Sequence, residues 1–136
     1  MIEMIVTVGI LLVILGLSAP FTINLYSRYQ VDSERNMILA LLRQARAMSM
    51  AGEGGTDHGV YISSSSFTLF EGQNYQSRNI SKDREIERSN VSVVTVIYEF
   101  IFRYKTGNAT SGNIIIENNA KQNTIYVNTE GRIDWE

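Results

Sequence analysis

The opening stretch MIEMIVTVGILLVILGLSAPFTI limits what the rest of the chain can be. From Met4 to Ile23 its only polar side chains are Thr7, Ser18 and Thr22, which gives 20 residues without a charge. As a helix, a run of that length is about 30 Å long, the thickness of a bilayer's hydrocarbon core. Two residues do not suit a plain anchor. Glu3 places a carboxylate at the edge of the run, where an ionised group is costly unless a positive partner meets it. Pro20 removes the backbone bond to the carbonyl of residue 16 and crowds that carbonyl, and residue 16 is a glycine that leaves room for a bend. A cleavable signal peptide fits poorly, because no Lys or Arg precedes the run and the candidate site Leu17-Ser18-Ala19 leads straight into Pro20.

Beyond the proline the helical period resumes with a different character. Val31, Ile38, Leu41, Leu42, Ala45 and Met48 recur at helical spacings, while Arg28, Asp32, Arg35, Arg43 and Arg46 fall largely between them. That pattern predicts an amphipathic continuation that ends in Ala51-Gly52-Glu53-Gly54-Gly55, where glycines supply stop positions. One helix of about 50 residues would be about 75 Å long. Residues 1–26 are therefore read as its apolar half, and 27–136 as a globular unit of an amphipathic helix over 27–51 and an antiparallel sheet over 58–136.

The body reads as short strands: His58 to Ile62, Ser66 to Phe70, Val91 to Tyr98, Glu99 to Tyr104, Asn113 to Glu117, Thr124 to Asn128 and a last one near Arg132 to Trp135. In Glu99-Phe100-Ile101-Phe102-Arg103-Tyr104 the aromatics alternate onto one face, as a sheet covering a helix requires. Lys105 to Asn108 and Asn118 to Asn123 are rich in turn residues, which suits antiparallel hairpins. Residues Gly72 to Asn90 are polar and charged and read as a solvated surface loop or a short edge strand. The chain has no Cys, hence no disulfide framework and no thiolate site. With 12 basic and 14 acidic residues and a net charge of -2, it has no overall pull toward nucleic acid.

Catalytic readings find little support. His58 follows Asp57 and lies near Ser63 to Ser66, but neighbours on a strand point to opposite faces and no nucleophile elbow is visible. The serine run reads as a turn. Gly52-Glu53-Gly54-Gly55 lacks the Lys-Ser/Thr of a phosphate loop, and no His or acidic pair has metal-ligand spacing. Trp135 and the tyrosines read as core or edge packing, with a partner surface as the other use.

Ile2-Glu3-Met4-Ile5-Val6, with Pro20 coming 17 residues after Glu3, together with the amphipathic continuation and the sheet, resembles the type IV pilin superfamily. In that family the segment follows a short basic leader and reads Phe-Thr-Leu-Ile-Glu, which sets Met1 at the leucine. Leu39 to Met50, LALLRQARAMSM, is similar to the corresponding helix of GspH/FimT-type minor pilins and pseudopilins. Phe102 to Gly107, Gly112 to Ile116 and Ile125 to Ile133 resemble the closing pattern of the same group.

The resemblance implies an α+β pilin-like fold and a structural role as a minor subunit of a type IV pilus or a type II secretion pseudopilus. It implies no catalysis, no cofactor and no metal. The chain would cross the inner membrane once, with its domain outside the cytoplasm, before moving into the filament. Its partners would be other pilin or pseudopilin subunits, the prepilin peptidase, the inner-membrane assembly platform and, before assembly, membrane lipid. Glu3 would meet the N-terminal amine of a neighbouring subunit, and Pro20 would let the helix bend as helices pack around a filament axis.

A second role comes from the same likeness. Some FimT-like relatives bind DNA through a basic Gly-Arg-x-Arg segment, and Arg132 in Gly131-Arg132-Ile133 matches its first arginine. The second position here is Asp134, followed by Trp135 and Glu136, and those acids repel phosphate. A filament-tip DNA receptor for natural transformation is thus the alternative, with DNA not an expected partner.

Overall fold

Residues Ile2–Ala51 form one helix, α1, in a computed structural model that describes residues 2–88, 92–95 and 98–136, and the side chains of residues 17–24, 92, 94 and 95 lie outside that description. The helix of 50 residues stops where Gly52 takes up a left-handed backbone, φ 74°, and its N–H donates to the Ser49 carbonyl at 3.1 Å. A glycine adopts that conformation without the steric cost a Cβ would impose.

Among the described residues eight strands follow: β1 (His58–Ile62), β2 (Ser66–Glu71), β3 (Arg84–Glu87), β4 (Ser92–Thr95), β5 (Glu99–Phe102), β6 (Gly112–Asn118), β7 (Lys121–Val127) and β8 (Ile133–Trp135). They build two antiparallel sheets of four strands, in the orders β3-β2-β1-β5 and β4-β6-β7-β8. The architecture is α+β, as expected, but one sheet is replaced by two. Eight strands about 4.8 Å apart make a layer far wider than a helix of about 10 Å, so a twisted sheet covering α1 splits into two. The segment after β5 is the seam. Thr110 N–H donates to the Ile101 carbonyl at 3.2 Å on one side, and Ala109 N–H donates to the Thr129 carbonyl at 3.0 Å on the other.

The core lies between the distal half of α1 and both sheets. Val31, Ile38, Leu41, Leu42 and Ala45 on the helix are buried, and Met48 is half-buried against them. Val60, Ile62, Phe67, Leu69, Phe100 and Phe102 meet them from the first sheet, with Ile114, Ile116, Ile125 and Val127 from the second. The aromatic alternation of β5 holds for Phe100 and Phe102, both fully buried, but the strand ends at Phe102 rather than Tyr104, which falls half-buried in the turn that follows. A charge interrupts the helix's inward stripe: Glu34 is 2% exposed and faces Arg88 Nε at 3.6 Å.

Other departures from the sequence reading have local causes. β7 begins at Lys121 rather than Thr124, because the Asn118 side chain accepts from the N–H groups of Ala120 and Lys121 and closes the hairpin in two residues. Residues 84–87 are an edge strand, and the loop before it is docked rather than merely solvated. Tyr75 stacks on Tyr61 with ring centroids 3.8 Å apart, meets Phe70 edge-on, and lies under the Arg78 guanidinium at 3.7 Å. Arg78 in turn pairs with Asp83 at 2.7 Å. The expected strand Val91 to Tyr98 is seen as Ser92–Thr95, and Val91, Val96 and Ile97 lie outside the described residues.

Candidate functional site

The proximal part of α1 stands clear of the domain. The large apolar side chains from Ile2 to Leu15 are 53–75% exposed, on every side of the helix. Glu3 lies in the first turn, also exposed, and is the only charge from there to Gly16. A stretch that is apolar all round cannot be one face of an amphipathic surface helix, because it offers no polar side to water. The stretch with described side chains covers residues 2–16, and among the described residues no helix is long and apolar enough to cross a membrane. α1 runs through Pro20, whose side chain is outside the description.

The domain grips the helix from Ser27 onward. The Asn118 side-chain amide, in the β6–β7 turn, donates to the Ser27 carbonyl at 2.6 Å. One turn further along, Lys121 Nζ donates to both oxygens of Asp32, at 2.6 and 2.8 Å, and the Asn123 amide adds a bond at 3.2 Å. Arg35 completes the cluster at 3.2 Å from Asp32 and lies 4.0 Å over the ring of Trp135. The hydrogen bond from Lys121 is the main reason the Asp32 carboxyl titrates below its ordinary value, with Asn123 and Arg35 acting in the same direction. The ties from the β6–β7 hairpin to Ser27 and Asp32 join residues about 90 positions apart, so no local spacing signals them. They hold the emerging helix in a fixed direction.

Arg132 lies at the opposite end of the domain, in the turn between β7 and β8. Its side chain is 71% exposed and pairs with Asp134 at 2.8 Å. Nearby, the Tyr126 hydroxyl donates to the Glu136 carboxylate at 2.6 Å, which raises the phenol's pKa. The depression beside them is lined by Asn113, Tyr126, Asn128, Arg132 and Asp134 among others, and the arginine in it is paired with the Asp134 carboxylate. An anionic backbone would meet a neutralised cation there.

The Asp57-His58 pair is structural. Asp57 accepts from the Tyr104 N–H at 2.7 Å and from Arg103 at 3.1 Å, which staples the β5 turn to the start of β1. The His58 ring is fully buried, and among the described residues neither of its nitrogens has a hydrogen-bond partner. Ser63 to Ser66 form the expected turn, with Ser63 Oγ accepting from the Ser66 N–H at 2.9 Å. Among the described residues no group of three or more His, Asp or Glu side chains is placed to hold a metal ion.

Glu3, Pro20 and Arg132 are therefore not brought together. The first two belong to the projecting helix, and the third lies in the β7–β8 turn at the other end of the domain. Set against known proteins, the chain matches no family model, no curated protein and no solved structure.

Proposed function

We propose that the chain is a membrane-inserted structural subunit of pilin-like type, a minor component of a type IV pilus or a type II secretion pseudopilus. One observation carries the reading: a long helix that buries one face of its distal half under the sheets, and whose described proximal side chains, residues 2–16, are almost all apolar and exposed on every side. That half needs an apolar surrounding, first lipid and then the equivalent helices of other subunits. From Met4 to Ile23 the sequence supplies 20 residues for the first.

Glu3 then has a purpose. In lipid it lies at the end of the apolar run, within reach of the headgroups. In a filament the resemblance gives it the N-terminal amine of a neighbouring subunit as partner. A charge pair enclosed by apolar helices is strongly disrupted when one member is removed, because the other is left unpaired. Glu3 thus sets the register of assembly while adding little to membrane affinity. The DNA-receptor alternative draws less support, since Arg132 is already paired with Asp134.

The test compares wild type with Glu3→Ala and Glu3→Gln in cells, scoring the subunit in sheared filaments against the membrane fraction. Both variants are expected to stay in the membrane and to lose most of their incorporation. Equal incorporation of all three chains would remove the charge pair from the account.

A further inference from the structure

Where α1 leaves the domain it carries the two most exposed tyrosines among the described residues, Tyr29 at 70% and Tyr26 at 65%. Leu25 beside them is 47% exposed, and Arg28 between them is exposed. Leu25, Arg28 and Tyr29 line a cleft of about 340 Å³ with Asp32, Ala120 and Lys121. The acid in this cleft, Asp32, is already answered by Lys121 and Arg35.

The arrangement differs from the stripe that a partner helix needs. At 100° per residue, positions 25, 26, 28 and 29 spread over nearly half the helix circumference at one level, while Ser27 and Val31 occupy the side turned to the domain. Continuing the same face toward the C-terminus, Ser33 and Asn36 are exposed and polar, whereas the described side chains toward the N-terminus are apolar on every side, so the exposed apolar surface of the helix stops at this level. An apolar surface that ends at one height around nearly half the helix fits a flat boundary.

The height is also informative. The apolar run ends at Ile23, before Asn24, so residues 25–29 lie about 3–9 Å beyond it along the axis. The headgroup layer on each side of a bilayer occupies about that depth. Tyrosine suits this layer, with its ring against the acyl boundary and its hydroxyl in water, and arginine reaches phosphate from the same position.

We infer that Leu25, Tyr26, Arg28 and Tyr29 form a collar that docks on phospholipid headgroups and sets the height of the domain above the membrane before assembly. This inference rests on the membrane-inserted reading and adds to it the residues that meet the lipid surface. The grip on Ser27 and Asp32 makes the collar rigid, so a fixed height implies a fixed orientation of the sheets.

The experiment uses the full chain with Trp135→Phe, so that a single introduced tryptophan reports, reconstituted in vesicles of phosphatidylcholine and phosphatidylglycerol. Tryptophan replaces Leu12, Tyr29 or Tyr98 in turn, and emission is quenched by lipids labelled deep in the acyl chain or at the headgroup. The collar predicts that position 12 loses emission to the deep label, position 29 to the headgroup label, and position 98 to neither. Adding Arg28→Glu is expected to weaken the headgroup quenching at position 29. If position 12 is quenched and position 29 behaves like position 98, the chain is inserted but the collar is wrong, and the patch is left for a neighbouring subunit. If position 12 is not quenched, the membrane-inserted reading itself fails and the collar fails with it.

Discussion

Gly131 shows how a single residue fixes the far end of the domain. Its backbone is left-handed, φ 73°, and a Cβ there would run into the Gly107 carbonyl oxygen, so the turns after β5 and β7 touch through bare backbone. Its N–H donates to the Asn128 carbonyl at 2.9 Å, and the Asn128 side chain accepts from the Arg132 N–H at 2.7 Å. Gly131→Ala should therefore cost about 2 kcal/mol or more, adding a steric collision to the backbone penalty. Urea unfolding of the domain measures this, and a change below about 0.5 kcal/mol would mean that the turns do not meet as described. The sequence marks Gly131 as a turn glycine. It cannot show that the turn rests on Gly107, because that contact depends on how the two sheets meet.

Among the elements, the join between α1 and the β6–β7 hairpin determines how the molecule presents its projecting helix. Asp32 is central, and its carboxyl titrates below the unfolded value of 3.8 chiefly because Lys121 donates to it. A lowered folded value means that the tie stabilises fully above the unfolded value. The contribution is lost as pH falls from there through the folded one. Asp32→Asn should therefore flatten the acid side of the stability profile below about pH 4 and leave the alkaline side unchanged in shape. Denaturant midpoints across pH check this, and parallel acid limbs for the two chains would contradict it. The proximal half of α1 makes the opposite prediction. Its described side chains add little to the domain's core, so a chain beginning at Leu25 should unfold within about 0.5 kcal/mol of the full chain and no longer sediment with membranes.

For the whole molecule, the readable parts of the fold were those set by periodicity and stop residues. The helical spacing from Val31 to Met48 gave the buried face, Gly52 its end, and the alternation of Phe100 and Phe102 the inward side of β5. What escaped depends on partners distant in the chain. The division into two sheets follows from the width of eight strands around one helix, the docking of the 72–79 loop from Tyr75 finding Tyr61, and the grip on α1 from Asn118 reaching Ser27. The candidate assembly residues divide in the same way. Glu3 and Pro20 stand out as exceptions to an apolar run, whereas the collar around Tyr26 and Tyr29 emerges only when the start of the domain's grip is known. The central claim is that the uncovered proximal helix is covered by other subunits once the protein assembles. Photo-crosslinking tests it most directly, with a photoactivatable phenylalanine analogue placed at Leu11, which is 57% exposed and lies within the apolar run. In sheared filaments the account predicts an adduct with the apolar N-terminal helix of another subunit. Adducts with lipid alone, or a wild-type chain that never enters the filament fraction, would contradict it.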